Sequence, residues 1–279
     1  MKSSILHASI LLTVSLSAVP LTTRGQDHGH LRIGATNTAQ GTPLYFYNGP
    51  DFAKSSGYVK TLTFTNSGRY AGYYQGNITL TVQAATPAFS GPEPDAPALG
   101  SLVRASIVSV QGPAGGAFGF WESGATSPTI SVASGQSGAS NFAVTQTDGS
   151  PGADPFGHIH GRRMTATQPG IYTVTIRAYD ACTNGESGGP IHGPSETIQV
   201  SFQAGINIDT ITTGSGGMAV RFGSMANQNF WLEWAPDLNP GATWTPVSGP
   251  LPGNDYFQTL TDATAAGVNR FYRILATSP

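Results

Sequence analysis

The run Tyr172-Thr173-Val174-Thr175-Ile176-Arg177, entered through Pro169-Gly170, alternates apolar and polar side chains without a break. In an extended chain a period of two puts Tyr172, Val174 and Ile176 on one face and the threonines and Arg177 on the other, the pattern of a strand half buried in a sheet. The same alternation recurs in 58–65, with Leu62 and Phe64 on the buried side, and in 77–82, with Ile78, Leu80 and Val82 inward. It recurs again in 102–110 and in the series Ile198, Val200, Phe202. Helices do not compete, because 36 glycines and 20 prolines interrupt every run of a 279-residue chain and helices need long stretches of good helix formers. Short strands with turn signals roughly every ten residues, Asn48-Gly49-Pro50 among them, predict an all-β fold whose main region is a β-sandwich of the immunoglobulin-like kind.

Three segments are expected. Residues 1–25 read as a signal peptide: Met1-Lys2 supplies the positive start, 5–16 a short apolar run and Ser17-Ala18 small residues for cleavage. The apolar run is too short and too often broken by Ser and Thr to span a bilayer, so the mature protein is expected to be extracytoplasmic, whether periplasmic, cell-surface or secreted, with no membrane span. Residues 26–204 form the sandwich region, with a candidate internal division at the proline-rich 86–98 segment. Residues 206–279 carry Trp231, Trp234 and Trp244, no histidine and their own strand series, and read as a smaller C-terminal β-domain.

Charge and cysteine content narrow the chemistry. A formal net charge of -2 and the absence of a basic stripe give no footprint for nucleic acid. The single cysteine, Cys182, precludes an internal disulfide and reads as a small residue packed in a loop. Glu122, Asp148, Asp154, Asp180, Glu186 and Glu196 fall into no catalytic motif, which argues against an enzyme.

The histidines do form a pattern. His158 and His160 make one His-x-His, His28 and His30 a second, and His192 follows at loop distance; His7 alone lies within the expected signal segment. In an extended segment two histidines separated by one residue share a face about 7 Å apart, suited to one metal ion. Zinc takes four ligands, and two such pairs, or one pair with His192 and a carboxylate, could supply them. Imidazole serves copper and nickel equally, so the residues do not select the element. Asp27, Asp154 and Glu186 are near enough in sequence to orient the rings from behind. The competing expectation is a surface structural or adhesive module whose histidines are incidental. Tyr70, Tyr73 and Tyr74, or Trp231 and Trp234, would then contact cell-envelope polysaccharide or another surface protein.

A resemblance bears on that choice. Ala117-Phe118-Gly119-Phe120-Trp121-Glu122, then His158-x-His160, then Pro169-Gly170-x-Tyr172-x-Val174 resemble the bacterial surface-anchored His-x-His repeat family often called choice-of-anchor M. Within it the arrangement is most similar to exported proteins under the control of zinc-sensing repressors, and the stretches Gly57-Tyr58-Val59-Lys60-Thr61-Leu62-Thr63-Phe64 and Tyr73-Tyr74-Gln75-Gly76-Asn77-Ile78-Thr79-Leu80 fit them too. The resemblance covers about residues 28–204 and implies an extracytoplasmic β-sandwich with a role in zinc acquisition or storage. Arg163 and Thr165 stand where the family has tryptophan and phenylalanine, so the packing of that strand is expected to differ. Phe230-Trp231-Leu232-Glu233-Trp234 and Phe271-Tyr272-Arg273-Ile274 resemble small β-domains that end many exported bacterial proteins.

Overall fold

A computed structural model describes residues 29–89, 91–265 and 269–279. The expected signal segment, Asp27 and His28 lie outside the described residues. Through residue 204 the strands are β1 (His30–Ala35), β2 (Leu44–Phe46), β3 (Val59–Thr65), β4 (Tyr73–Gly76), β5 (Thr79–Val82), β6 (Val103–Gln111), β7 (Ala117–Trp121), β8 (Ile130–Ala133), β9 (Ser137–Ala143), β10 (Gly157–His158), β11 (Arg163–Ala166), β12 (Gly170–Asp180) and β13 (Ile198–Ala204). The fold is all-β, and none of the helices in the described residues is long and apolar enough to cross a membrane.

Two sheets enclose one core. A four-stranded sheet has the order β10-β5-β1-β2, and a nine-stranded sheet the order β8-β7-β11-β4-β3-β13-β12-β6-β9. The outer strands of the larger sheet, β8 and β9, are consecutive in the chain, and Val110 of β6 bonds to the turn between them, so the sheet curls nearly closed. Leu31 and Ile33 of β1, Leu80 and Val82 of β5, Val174 and Ile176 of β12 and Phe202 of β13 join a single buried cluster. Because alternate side chains of these strands meet there, their other face is free to carry function. The pairings β1/β5 and β13/β3 are parallel, unlike the antiparallel pairings of an immunoglobulin domain.

Pro169-Gly170-x-Tyr172 earns its place through a buried tyrosine. The Tyr172 ring is fully buried, and its hydroxyl donates to the Gln168 carbonyl at 3.0 Å while accepting from the Gln168 N–H at 3.3 Å. This is the tyrosine-corner device, a phenol tying the start of a strand to the backbone just upstream. Gly112 and Gly116 make room for it, since a Cβ on either would sit 2.5 Å from the ring or its hydroxyl. Tyr172→Phe is expected to cost about 1–2 kcal/mol, because the buried phenol loses both of its bonds to the Gln168 backbone. Urea denaturation measures the loss, and an unchanged midpoint would contradict this role.

Two expectations need correction. Phe64 is not buried but 53% exposed. The pairing of β3 with β13 ends at Leu62, so Phe64, still paired with Tyr74 of β4, lies past the core and rests edge-on against that ring at 5.1 Å. The proline-rich segment does not divide the sandwich either. Asp95 accepts the Ala35 N–H through its carbonyl and the Tyr45 hydroxyl through its carboxylate, Glu93 accepts the Ala84 N–H, and residues on both sides share the one cluster.

Beyond residue 205 the chain forms β14 (Ile208–Gly214), β15 (Gly217–Gly223), β16 (Asn229–Ala235), β17 (Thr245–Pro252), β18 (Phe257–Asp262) and β19 (Phe271–Thr277). They make two three-stranded sheets, β14-β15-β18 and β17-β16-β19, around a second cluster of Val220, Phe222, Phe230, Leu232 and Leu260. This lobe is tied to the sandwich. Val59 donates to the Asp255 carbonyl, Phe257 to the Gly57 carbonyl, and the fully buried Gln203 amide to both Thr61 and the Gly223 carbonyl.

Candidate functional site

The histidines of the two separate motifs meet on the outer face of the four-stranded sheet. Leu31, Ile33, Leu80 and Val82 point into the core, so alternation turns His30, Arg32, Thr79 and Thr81 outward. β1 runs parallel to β5 on one side with Arg32 beside Thr81, and β10 runs antiparallel on the other with His158 beside Thr81. Thr81 is therefore flanked from both neighbouring strands. Its side chain is short, and the imidazoles of His30 and His158 close over it.

The geometry is specific. His30 Nδ1 lies 3.1 Å and His158 Nδ1 3.2 Å from the Thr81 hydroxyl oxygen. The two rings stack with centroids 4.5 Å apart and planes at 17°, although 128 residues separate them in the chain. His160 meets His158 edge to face at 4.3 Å. The stack continues through Phe156, 6.4 Å from His158, to Phe89, 5.3 Å from Phe156, so one ladder of aromatic rings crosses this face.

A threonine hydroxyl has one proton and two lone pairs. It can donate to one Nδ1 while accepting from the other, or accept N–H bonds from both. In the second state both Nδ1 atoms carry protons, and Nε2 is the nitrogen through which each ring would ligate a metal ion. Thr81 thus occupies the place of the hydrogen-bonding group that sets the tautomer of a ligating histidine. Asp154 and Glu186, the carboxylates expected in that role, sit elsewhere. Asp154 Oδ1 caps the Ala85 and Phe156 N–H groups below β10, and Glu186 is exposed in the loop before His192, bonding Gln40 through its backbone.

His192 does not join the cluster. It is 1% exposed, its Nε2 accepts the Ala98 N–H at 2.9 Å, and its Nδ1 lies 2.9 Å from the Thr42 carbonyl. Accepting at Nε2 fixes the proton on Nδ1, which donates to Thr42, so neither nitrogen is left for a metal. The ring fastens the long 180–194 loop to the sandwich. Cys182, also buried, directs its thiol at Asp180 at 3.2 Å. Among the described residues no group of three or more His, Cys, Asp or Glu side chains is assembled as it stands to hold a metal.

Electrostatics disfavour the charged form of His158. Burial, then the neighbouring His30 and His160, push the His158 imidazole below its ordinary value of 6.5. For a base with a depressed pKa the unfolded chain binds more protons, so the stabilising contribution is complete above pH 6.5 and is lost as pH falls through the folded value. Urea midpoints from pH 7.5 to pH 5 are expected to fall more steeply for the wild type than for His158→Gln. Parallel curves would contradict the assignment.

Two further features place the site. Gly157 sits so tightly against β9's exit that an added Cβ would lie 1.8 Å from the Val144 carbonyl oxygen. The carbonyl of His158 accepts from the Gln146 side chain at 2.8 Å. The aromatic groups named as adhesive platforms are largely engaged: Tyr70 and Tyr73 pack edge-on against the buried Trp121, and Arg270 covers Trp234 at 4.2 Å. Comparison of the chain with protein-family models, curated proteins and solved structures returns no match.

Proposed function

We propose that this is an exported, non-catalytic protein that binds a transition-metal ion, zinc foremost, through His30, His158 and His160, and that it serves zinc acquisition or storage. The observation that carries this is the meeting of two distant His-x-His motifs on one threonine, with both Nδ1 atoms on a single hydroxyl. Burial and its neighbours favour the neutral, ligand-competent form of His158, and a turn of the stacked His30 and His158 rings would bring their Nε2 lone pairs onto one cation. His160, exposed and already against His158, supplies a third imidazole by rotation of its side chain. His28, two residues before His30, is the remaining candidate ligand. The resemblance of His158-x-His160 and Pro169-Gly170-x-Tyr172 to the zinc-regulated family agrees with zinc.

Calorimetric zinc titration of the mature protein tests the reading. The wild type is expected to bind one zinc tighter than about 0.1 mM, roughly -5.5 kcal/mol, and His158→Ala/His160→Ala to lose the isotherm. Thr81→Val keeps the side-chain shape but removes the hydroxyl, and should weaken zinc about tenfold or more, the usual effect of losing a group that orients a ligand. Wild-type affinity weaker than about 0.1 mM would overturn the proposal.

A further inference from the structure

A second site opens on the other layer. A cleft of about 510 Å³ lies on the outer face of β6, β9 and β12, lined by Ser106, Val108, Asn141, Arg177, Tyr179 and Pro194 among others. Asn141, Ser106 and Arg177 are register partners across the three strands and form one polar row, and Arg104 and Tyr179 pair in the next. The face is indented because both pairings of β6 slip at Val108, against β12 between Thr175 and Ile176 and against β9 between Ile107 and Ser109. Such bulges bend strands and re-aim side chains.

The lining groups are unspent. Ser106 is 5% exposed, yet its hydroxyl has no hydrogen-bond partner. A buried hydroxyl left unpaired costs free energy, and this one lies beneath the floor of the cleft. Among the described residues neither Arg177 nor Arg104 makes an ion pair or a side-chain hydrogen bond, and no acidic residue lines the cleft. The open surface of the cleft is mostly apolar, with Tyr179, Val108 and Pro194 among its walls.

We infer that the cleft binds a short acidic saccharide. A uronic acid combines the charge and the apolar face that this lining calls for: its carboxylate takes the Arg177 guanidinium, a bidentate match. Its hydroxyls meet the Asn141 amide, and its apolar C–H face lies on the Tyr179 ring. The site is independent of the histidines, which lie on the other sheet.

The full mature chain, isotope-labelled and kept in chelator so that metal plays no part, would be titrated with trigalacturonate, with maltotriose as the neutral control and with an acidic tripeptide. Trigalacturonate is expected to shift the amides of Ser106, Asn141, Arg177 and Tyr179, and to bind about tenfold or more tighter than maltotriose. Arg177→Ala and Tyr179→Ala, each checked for an unchanged spectrum elsewhere, should each weaken it about tenfold. The inference is overturned if no cleft amide shifts at about 10 mM trigalacturonate, if maltotriose or the tripeptide binds equally well, or if both variants bind as the wild type does.

Discussion

Gly157→Ala is expected to destabilise the sandwich by about 3 kcal/mol, the upper range for forcing atoms into a packed site, and to weaken zinc at least about tenfold. The added Cβ would lie 1.8 Å from the Val144 carbonyl oxygen and 2.5 Å from its carbon. Both are backbone atoms, so no side chain can swing aside. The clash must push β10 away from β9's exit, and β10 is only Gly157 and His158, paired to Val82 and Thr81. Moving it breaks the contact of His158 with Thr81 and His30, so stability and metal affinity fall together. Urea denaturation and zinc calorimetry on the one variant read both. A stable protein with unchanged zinc affinity would contradict this account of how β10 is held.

Asp262→Ala is expected to cost about 3–5 kcal/mol, the range for leaving a buried charge without its partner. The Asp262 side chain is fully buried and accepts from the Arg270 guanidinium, the Tyr272 hydroxyl, and the Thr264 backbone and hydroxyl. These hydrogen bonds and Arg270 outweigh the burial that would raise the carboxyl, and hold it below its ordinary range. Removing it takes the carboxylate from Arg270, 11% exposed and stacked over Trp234, and leaves that guanidinium only the hydroxyl and carbonyl of Thr264 as hydrogen-bond acceptors among the described residues. Trp231, Trp234 and Trp244 all lie in this lobe, so tryptophan fluorescence in urea follows its unfolding. A midpoint within experimental error of the wild type would show that the network contributes nothing net.

How much of this could be read from the chain depends on whether the cause was local. Alternation is local, so Ile78, Leu80, Val82, Tyr172, Val174 and Ile176 were legible as core positions, and the all-β class with them. Phe64 was misjudged because its exposure follows from where β13 stops pairing with β3, which no local pattern encodes. The meeting of His30 with His158 depends on β5 lying between β1 and β10, a long-range order. The two His-x-His motifs hinted at convergence without stating it. Thr81 was missed as the shared partner for the same reason, although its place on the polar face of 77–82 was visible. His192 illustrates the converse. A histidine in a glycine-rich loop looks available, yet burial against Ala98 and Thr42 uses both its nitrogens.

Long-range proton–nitrogen correlation spectra of the imidazoles during a zinc titration test the central claim most directly, because they report which nitrogen carries a proton and which a metal. The account predicts that His30, His158 and His160 respond together at one equivalent of zinc. In His30 and His158, Nε2 should move to the metal-bound range while Nδ1 stays protonated on Thr81, and His192 should not change. Zinc that leaves the His30 and His158 nitrogens unshifted, or that binds at His192 instead, would contradict it.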